Sequence, residues 1–484
     1  MKIVQLIFVI LFFLVLTGAG LFWQYQYTLK FDDISNGILT VNGDEVVPKF
    51  SKDVKDYHST SLSALTPNLM QFGNTTKKFN VKEINPQSPV IPFKIGNETY
   101  NLHIWSANLS EFDTKGAKNV EDGHYFITSE WGDQNHTFPA YIVNKYGQIL
   151  YYKYAIDKEN NLKSASDFKY TILSDGTILY SLIGNETLFV MDKNFQPLFR
   201  TKLLKNSTHW EFGLDGHHHV ILGKDHFIIF ATMLKEVLDA KKNKPIFLAV
   251  PIIQEIKDNK IIFEWNGLDY PELYENYSQC KTWPNGTFDY AHLNAIIIDT
   301  SDNNLILSFR GINTLLKIDR KDGHIIWQLS GYNDNFNLTK EQKLYGQHFP
   351  YIDKDGYLTV FDNFSNMMGE KNFIQENSSI KKFKLDPVNK KIVEYKKIPL
   401  IFWSYAMGSA LPVKQGRYLV SAGSSNISNL CALEISENGN EVWRLTFKDP
   451  NQKRFCYYVY KRPFAYRDHF RREIQSEKST QFDL

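Results

Sequence analysis

Two histidines, an asparagine and an arginine stand out between Asp289 and Asn363. His292 and Asn294 open the apolar run 295–299, Arg310 closes the run 304–309, and His348 precedes the Asp-Gly turn at 355–356. His217, His218 and His219 form a third group upstream. Arginine offers an oxyanion a planar fork of donors, and a protonated imidazole adds charge. Such a set, with neither carboxylate nor thiolate, suits a tetrahedral oxyanion such as sulfate or phosphate. A neutral imidazole can also attack and carry a transferred group. Three histidines suit zinc, copper or iron as well, but Arg310 would place a cation beside that metal. A lone histidine is most often a satisfied hydrogen-bonding residue. Recurrence at one position of successive repeats argues for a shared site.

The elements that must position these residues are repeats. From Gly123 onward a turn with Asp or Gly leads into an apolar strand, a second strand, and a Gly-x-Ile-x-Trp/Tyr tail. Six passes fall at 141–151, 173–192, 217–265, 292–327, 348–395 and 417–443. A spacing of about 40–55 residues is what four-stranded blades need. The predicted fold is all-β, a six-bladed β-propeller over 123–460 with 455–460 as its closing strand. Short alternating strands over 31–115 predict a small β-sandwich before it. Residues 110–122 read as a polar linker and 461–484 as a charged tail. The start of each innermost strand faces a propeller's channel, so His217–His219, His292 and His348 are expected to converge.

Composition sets the outer bounds. The 484 residues include 55 basic and 53 acidic ones, so no net field draws nucleic acid, and none is expected as a partner. Aromatics reach 15% and helical patterns are scarce, which points to strands. Lys2 precedes a nearly unbroken apolar run over 3–23, close to the roughly 20 residues that span a bilayer. Residues 1–24 are therefore expected to form a transmembrane signal anchor, or a signal peptide cleaved near Thr17-Gly18-Ala19. The lysine sets a single-pass type II orientation with a lumenal or extracellular body; cleavage would make the chain secreted. Asn-x-Ser/Thr triplets start at Asn74, Asn97, Asn108, Asn135, Asn185, Asn206, Asn276, Asn285, Asn337, Asn363, Asn377 and Asn426. They fit a glycosylated chain of the secretory pathway, although chance would supply several in an Asn-rich sequence. Cys280, Cys431 and Cys456 allow at most one intramolecular disulfide and lack zinc-ligand spacing.

His292-Leu293-Asn294, Leu307-Ser308-Phe309-Arg310 and Gly346-Gln347-His348, with the tails at 317–327 and 355–363, resemble the aryl sulfotransferase family that works without a nucleotide sulfate donor. Upstream, 50–57 resembles the start of the β-sandwich in that family, so the likeness spans 35–465. The resemblance implies transfer of a sulfuryl group from an aryl sulfate to a phenol by a ping-pong route, with no cofactor. It implies His348 as the nucleophile that becomes sulfated, His292 and Arg310 as holders of the sulfuryl oxygens, and Asn294 as a donor-orienting group. His218 is expected to assist, with His217 and His219 as alternates, since His219 stands where the family carries an acidic residue. Tyr345, Trp403 and Tyr405 are candidates for the rim. Glu211 and Asp215 could orient imidazoles, but surface turns are their ordinary role. Sulfuryl transfer, like phosphoryl transfer, favours positioning and charge stabilisation. Two rivals share the fold: a non-catalytic ligand-binding propeller, and a quinone- or metal-dependent oxidoreductase propeller with similar tails. The sequence leaves monomer and homodimer both open.

Overall fold

A computed structural model describes residues 29–31, 37–81, 84, 90–104, 109–130, 137–156, 162–204, 213–239, 243–275, 282–414, 416–448 and 455–463. Among them the chain is all-β, with only single-turn 3-10 helices at Ala117–Asn119, Gly267–Asp269 and Pro271–Leu273. Two burial patterns account for the strands. Leu39–Val41 buries alternate side chains, as a strand with one covered face does. Ile178–Gly184 is buried at every position because neighbouring layers cover both its faces.

Two four-stranded sheets come first. One orders Leu29–Phe31, Ile91–Ile95, Glu98–Ile104 and Asp56–Ser59; the other orders Asp44–Glu45, Leu39–Val41, Asn68–Phe72 and Thr75–Phe79. Phe31, Tyr57, Phe72, Phe93 and Tyr100 lie in their shared core.

Six antiparallel sheets of four or five strands follow in chain order, with a two-stranded pair, Ala155–Ile156 and Leu162–Lys163, between the first and second. The first has Phe455–Pro463 at its inner edge, paired with Gly123–Glu130, then Ala140–Val143 and Ile149–Lys153. The last described strand thus pairs with the first strand of this group of sheets, as expected for a closing strand, although it runs on to Pro463. The second sheet starts with Ala165–Ile172, the third with Val220–Gly223, the fourth with Leu293–Asp299, the fifth with His348–Ile352 and the sixth with Ser409–Lys414. Apolar side chains fill the gaps between neighbours. Ile253 and Trp265 meet Leu305 and Leu316 between the third and fourth sheets. Ile306 and Leu315 meet Val360 and Phe383 between the fourth and fifth. Each such side chain contributes about 1.5–3 kcal/mol on burial.

Polar contacts link the inner edges in the same order. Asp167 of the second sheet accepts the His219 N–H at 2.8 Å, and Asn294 of the fourth donates to Gln347 O before the fifth at 2.8 Å. Asn363, after the second strand of the fifth sheet, donates to Met407 O before the sixth at 2.8 Å. Ser421 of the sixth donates to Cys456 O of the closing strand at 2.7 Å. Tyr460 of the closing strand donates to Asp167 of the second sheet at 3.2 Å.

Several expectations need revision. The stretch read as a linker contains Phe112–Lys115, which pairs with Glu441–Phe447. Ser61–Ser63, from the stretch read as a sandwich, pairs with Ile149–Lys153. Both add to a free sheet edge, whose unpaired backbone groups accept any extended segment of suitable register. The pass at 173–192 omits Ala165–Ile172, whose buried Asp167 and Lys169 disguise a strand. No helix among the described residues is long and apolar enough to cross a membrane. That finding overturns the expected single-pass type II placement; the expected anchor, 1–24, lies outside the described residues.

Candidate active site

Gly346-Gln347-His348 enters the inner strand of the fifth sheet under restraint from three amides. Asn313 Oδ1 accepts the Gly346 N–H at 2.7 Å, and Asn294 Nδ2 donates to Gln347 O at 2.8 Å. Gln347 Nε2 donates to Phe309 O and Thr314 O, each at 3.1 Å. His348 is thereby fixed in a buried position. Its Nδ1 lies 2.7 Å from Asn363 Oδ1 and 3.1 Å from Gly346 O, while its Nε2 accepts the Met407 N–H at 3.1 Å. Burial, and then the charge of Arg310, push the His348 pKa well below 6.5 against the opposing Asn363 bond. The imidazole is neutral at pH 7. Asn294, expected to orient a donor, spends its amide N–H on this segment; among the described residues its buried Oδ1 has no hydrogen-bond partner.

Arg310 follows the second strand of the fourth sheet and is 4% exposed. Its Nη2 donates to Tyr405 O at 3.0 Å, and its Cζ lies 5.2 Å from the Tyr405 ring centroid. Among the described residues its guanidinium makes no ion pair, and its Nε–H has no hydrogen-bond partner. Burial lowers its pKa from the ordinary guanidinium value while leaving arginine charged at neutral pH. A buried cation with an unused donor favours an anionic guest.

His217 and His292 stand edge-to-face with ring centroids 5.2 Å apart. Each is held by a carboxylate: His217 Nδ1 lies 2.5 Å from Asp215 Oδ1, and His292 Nδ1 lies 2.5 Å from Asp289 Oδ2. The same aspartates accept the two backbone N–H groups at 2.9 and 3.0 Å. Burial raises the pKa of Asp215 and of Asp289, but the facing imidazole outweighs it, so both acids are lowered. A set without carboxylates was expected; the carboxylates are present and take the Nδ1 side of each ring. The two side chains are 27% and 28% exposed, so the cluster opens to solvent here.

The expected helper was His218, yet His217 is the one beside His292. Asp215 captures the first ring of the triplet, and Asp167 captures the third, His219, at 2.6 Å. His218 faces inward, with Nε2 3.3 Å from Lys169 Nζ and its ring 5.7 Å from Phe349. Burial, then Lys169, lowers the pKa of His218 well below 6.5 and that of His219 to about 4. Tyr457 packs 5.4 Å from His217, and Tyr458 donates to Asn294 O at 3.0 Å. Neither these closing-strand tyrosines nor Asp289 was expected among the site residues, although the place of Asp289 three residues before His292 was an available signal.

Of the rim candidates, Tyr405 is exposed beside Arg310 and Trp403 lies 6.1 Å from it. Tyr345 is buried against Phe364 and Phe373 at 5.1 and 5.2 Å, so it belongs to a packed cluster. Among the expected glycan sites, Asn74, Asn97, Asn285, Asn337, Asn377 and Asn426 are exposed and Asn185 half-buried; Asn108, Asn135, Asn206 and Asn276 lie outside the described residues, as does Glu211. Asn363 must be withdrawn from that set. It is fully buried, and its Nδ2, where a glycan would attach, donates to Ser404 O and Met407 O.

Fold and site together define an all-β protein with a cationic, imidazole-rich cluster suited to an oxyanion. Residues 110–458 match the family model described as Arylsulfotransferase (ASST), and the chain belongs to that family. Membership brings an aryl sulfotransferase-like function in general terms. No curated protein matches the chain. Among solved structures it is similar to a Bacteroides caccae protein of unknown function at 10% identity and TM-score 0.41, covering 70% of this chain and 99% of that one. It is also similar to the Cps50 (Swd1) beta-propeller domain from Myceliophteria thermophila, at 9% identity and TM-score 0.36 over 71% of this chain and 88% of that one. Virginiamycin B lyase from Staphylococcus aureus gives 12% identity and TM-score 0.30 over 70% of this chain and 100% of that one.

Proposed function

We propose that the chain moves a sulfuryl group from an aryl sulfate to a phenol by a ping-pong route through a sulfo-histidine at His348. The six sheets are read as six blades of a propeller over 123–460, preceded by a β-sandwich over 31–115, with the site at the channel mouth. In the first step an imidazole nitrogen of His348 bonds to sulfur while the sulfur–oxygen bond to the aryl group breaks. The phenolate leaves with the electron pair and takes a proton at the solvent-open mouth. In the second step an acceptor phenol, deprotonated there, bonds to sulfur; the nitrogen–sulfur bond breaks and the imidazole is restored. Arg310, His217 and His292 hold the sulfuryl oxygens, whose charge grows in a loose transition state.

One observation carries this reading. A neutral, buried imidazole stands within the field of an arginine that has an unused N–H. An available base beside a cation that makes no ion pair among the described residues suits a nucleophile attacking an anion. A second reading, a ligand-binding module without turnover, draws on Tyr405 O and the Met407 N–H, which engage Arg310 and His348. Nitrophenol release from 4-nitrophenyl sulfate, with and without added phenol, separates the two. Release that phenol accelerates and that His348→Ala abolishes is expected. Release surviving His348→Ala would remove the nucleophile from its role, and no release from a panel of aryl sulfates would favour the binding module.

A further inference from the structure

We infer that Asn363 is the positioning residue that selects the attacking atom of His348, making Nε2 the nitrogen that bonds to sulfur. This deepens, and rests on, the sulfotransferase reading. Asn363 Nδ2 lies 3.0 Å from Ser404 O and 2.8 Å from Met407 O. Both are carbonyl oxygens, which only accept, so the NH2 end of the amide must face them. Asn363 Oδ1 is thereby turned to His348 Nδ1 at 2.7 Å. That oxygen also only accepts, so Nδ1 must carry the proton. Gly346 O, 3.1 Å from the same nitrogen, makes the same demand. Across the ring the Met407 N–H, which only donates, meets Nε2 at 3.1 Å, so Nε2 carries the lone pair. The partner of one ring nitrogen sets the chemistry of the other.

Two consequences follow from this proton placement. Turning the ring over would set carbon-bound hydrogens against Asn363 Oδ1 and the Met407 N–H, so the same contacts lock the ring's orientation. Bonding of Nε2 to sulfur leaves a positive ring whose Nδ1–H donates more strongly to Asn363 Oδ1, which stabilises the intermediate relative to the free imidazole. The Met407 N–H occupies the lone pair in this state, so attack requires that bond to release.

Nitrogen NMR of the full chain labelled with 15N-histidine tests this without turnover. With the His348 signals identified by their loss in His348→Gln, the wild type at pH 7 should show a protonated Nδ1 and a bare Nε2. The opposite tautomer, or a doubly protonated ring, overturns the inference. Asn363→Ala should mix the two tautomers and lower kcat by at least about tenfold, with KM changed less than about twofold. An unchanged spectrum with unchanged kcat would also overturn it. A wild type that shows the expected tautomer but transfers no sulfuryl group would instead sink the sulfotransferase reading alone.

A separate observation concerns the two described cysteines. The structure assigns Cys431 and Cys456 as a pair that forms a disulfide, joining the sixth sheet to the closing strand. Both are buried and free, with Sγ atoms 2.8 Å apart. Their backbones are already aligned: Ala422 N–H donates to Cys431 O at 2.9 Å and Gly423 N–H to Cys456 O at 3.1 Å. Oxidation needs a disulfide oxidant such as glutathione disulfide. The two thiols lose two protons and two electrons, and the oxidant becomes two thiols. The full chain should be folded with glutathione disulfide, alkylated and mapped under non-reducing conditions. A peptide linking Cys431 to Cys456, with Cys280 alkylated, is expected, together with a melting temperature that falls on reduction. A link through Cys280, or alkylation of both buried cysteines without reductant, overturns the assignment.

Discussion

At the scale of residues, the site depends on which acceptor captures each imidazole. Asp289 and Asp215 hold His292 and His217 by Nδ1, while Asn363 holds His348 by the same atom. Residue type and repeat position made His292, Arg310 and His348 legible in the sequence, because each follows or opens a strand at an equivalent point. The choice among His217, His218 and His219 was not legible. It turns on Asp167, fifty residues upstream of His217, which takes the third ring by a contact that no local pattern reveals. His217→Ala should therefore lower kcat/KM by about tenfold or more with little change in melting temperature. His218→Ala, which empties a buried position beside Lys169 and Phe349, should chiefly lower the melting temperature. Rates and melts on the two variants check this together. The depressed pKa of His348 keeps its lone pair available down to acidic pH. The acid limb of kcat/KM against pH that reports His348 should thus lie below 6.5, since protonation blocks attack.

At the scale of elements, function sits where inner strands begin and loops from neighbouring sheets meet. The 404–408 segment supplies the Tyr405 carbonyl to Arg310 and the Met407 N–H to His348. Its shape needs Met407 at φ +63° and Gly408 at φ +100°. A Cβ on Gly408 would also meet the Phe361 ring at 2.6 Å. Gly408→Ala should cost about 1–3 kcal/mol, measured by denaturant unfolding, and should lower turnover by displacing Met407. The repeats that predicted the inner strands were legible because apolar runs and Asp-Gly turns recur at even spacing. Ala165–Ile172 was missed because its inward charges, Asp167 and Lys169, belong to a buried network. Phe112–Lys115 was missed because its partner, Glu441–Phe447, lies more than three hundred residues away.

At the scale of the whole molecule, charge links the N-terminal sheets to the rest. Asp44, in the second N-terminal sheet, pairs with Lys153 of the first of the six sheets and with Arg200 of the second at 2.9 Å. Lys153 is 5% exposed, so Asp44→Ala would strand a buried ammonium. A loss of about 3–5 kcal/mol is expected, read from equilibrium unfolding. Acid sensitivity belongs to this scale too. Burial, followed by Arg462 at His124 and by Lys169 at His219, lowers both histidines to about 4 from 6.5. An unfolded chain protonates them near 6.5, whereas the folded chain resists until about 4. Their contribution to stability is complete above 6.5 and is lost as pH falls toward 4. Melting temperature should therefore decline across that window, before most carboxylates titrate. The central claim concerns His348, and mass spectrometry tests it most directly. After incubation with 4-nitrophenyl sulfate alone, the peptide containing His348 should gain one SO3 unit and lose it when phenol is added. Nitrophenol release without that gain, or an SO3 unit carried by another residue and discharged by phenol, would contradict the account.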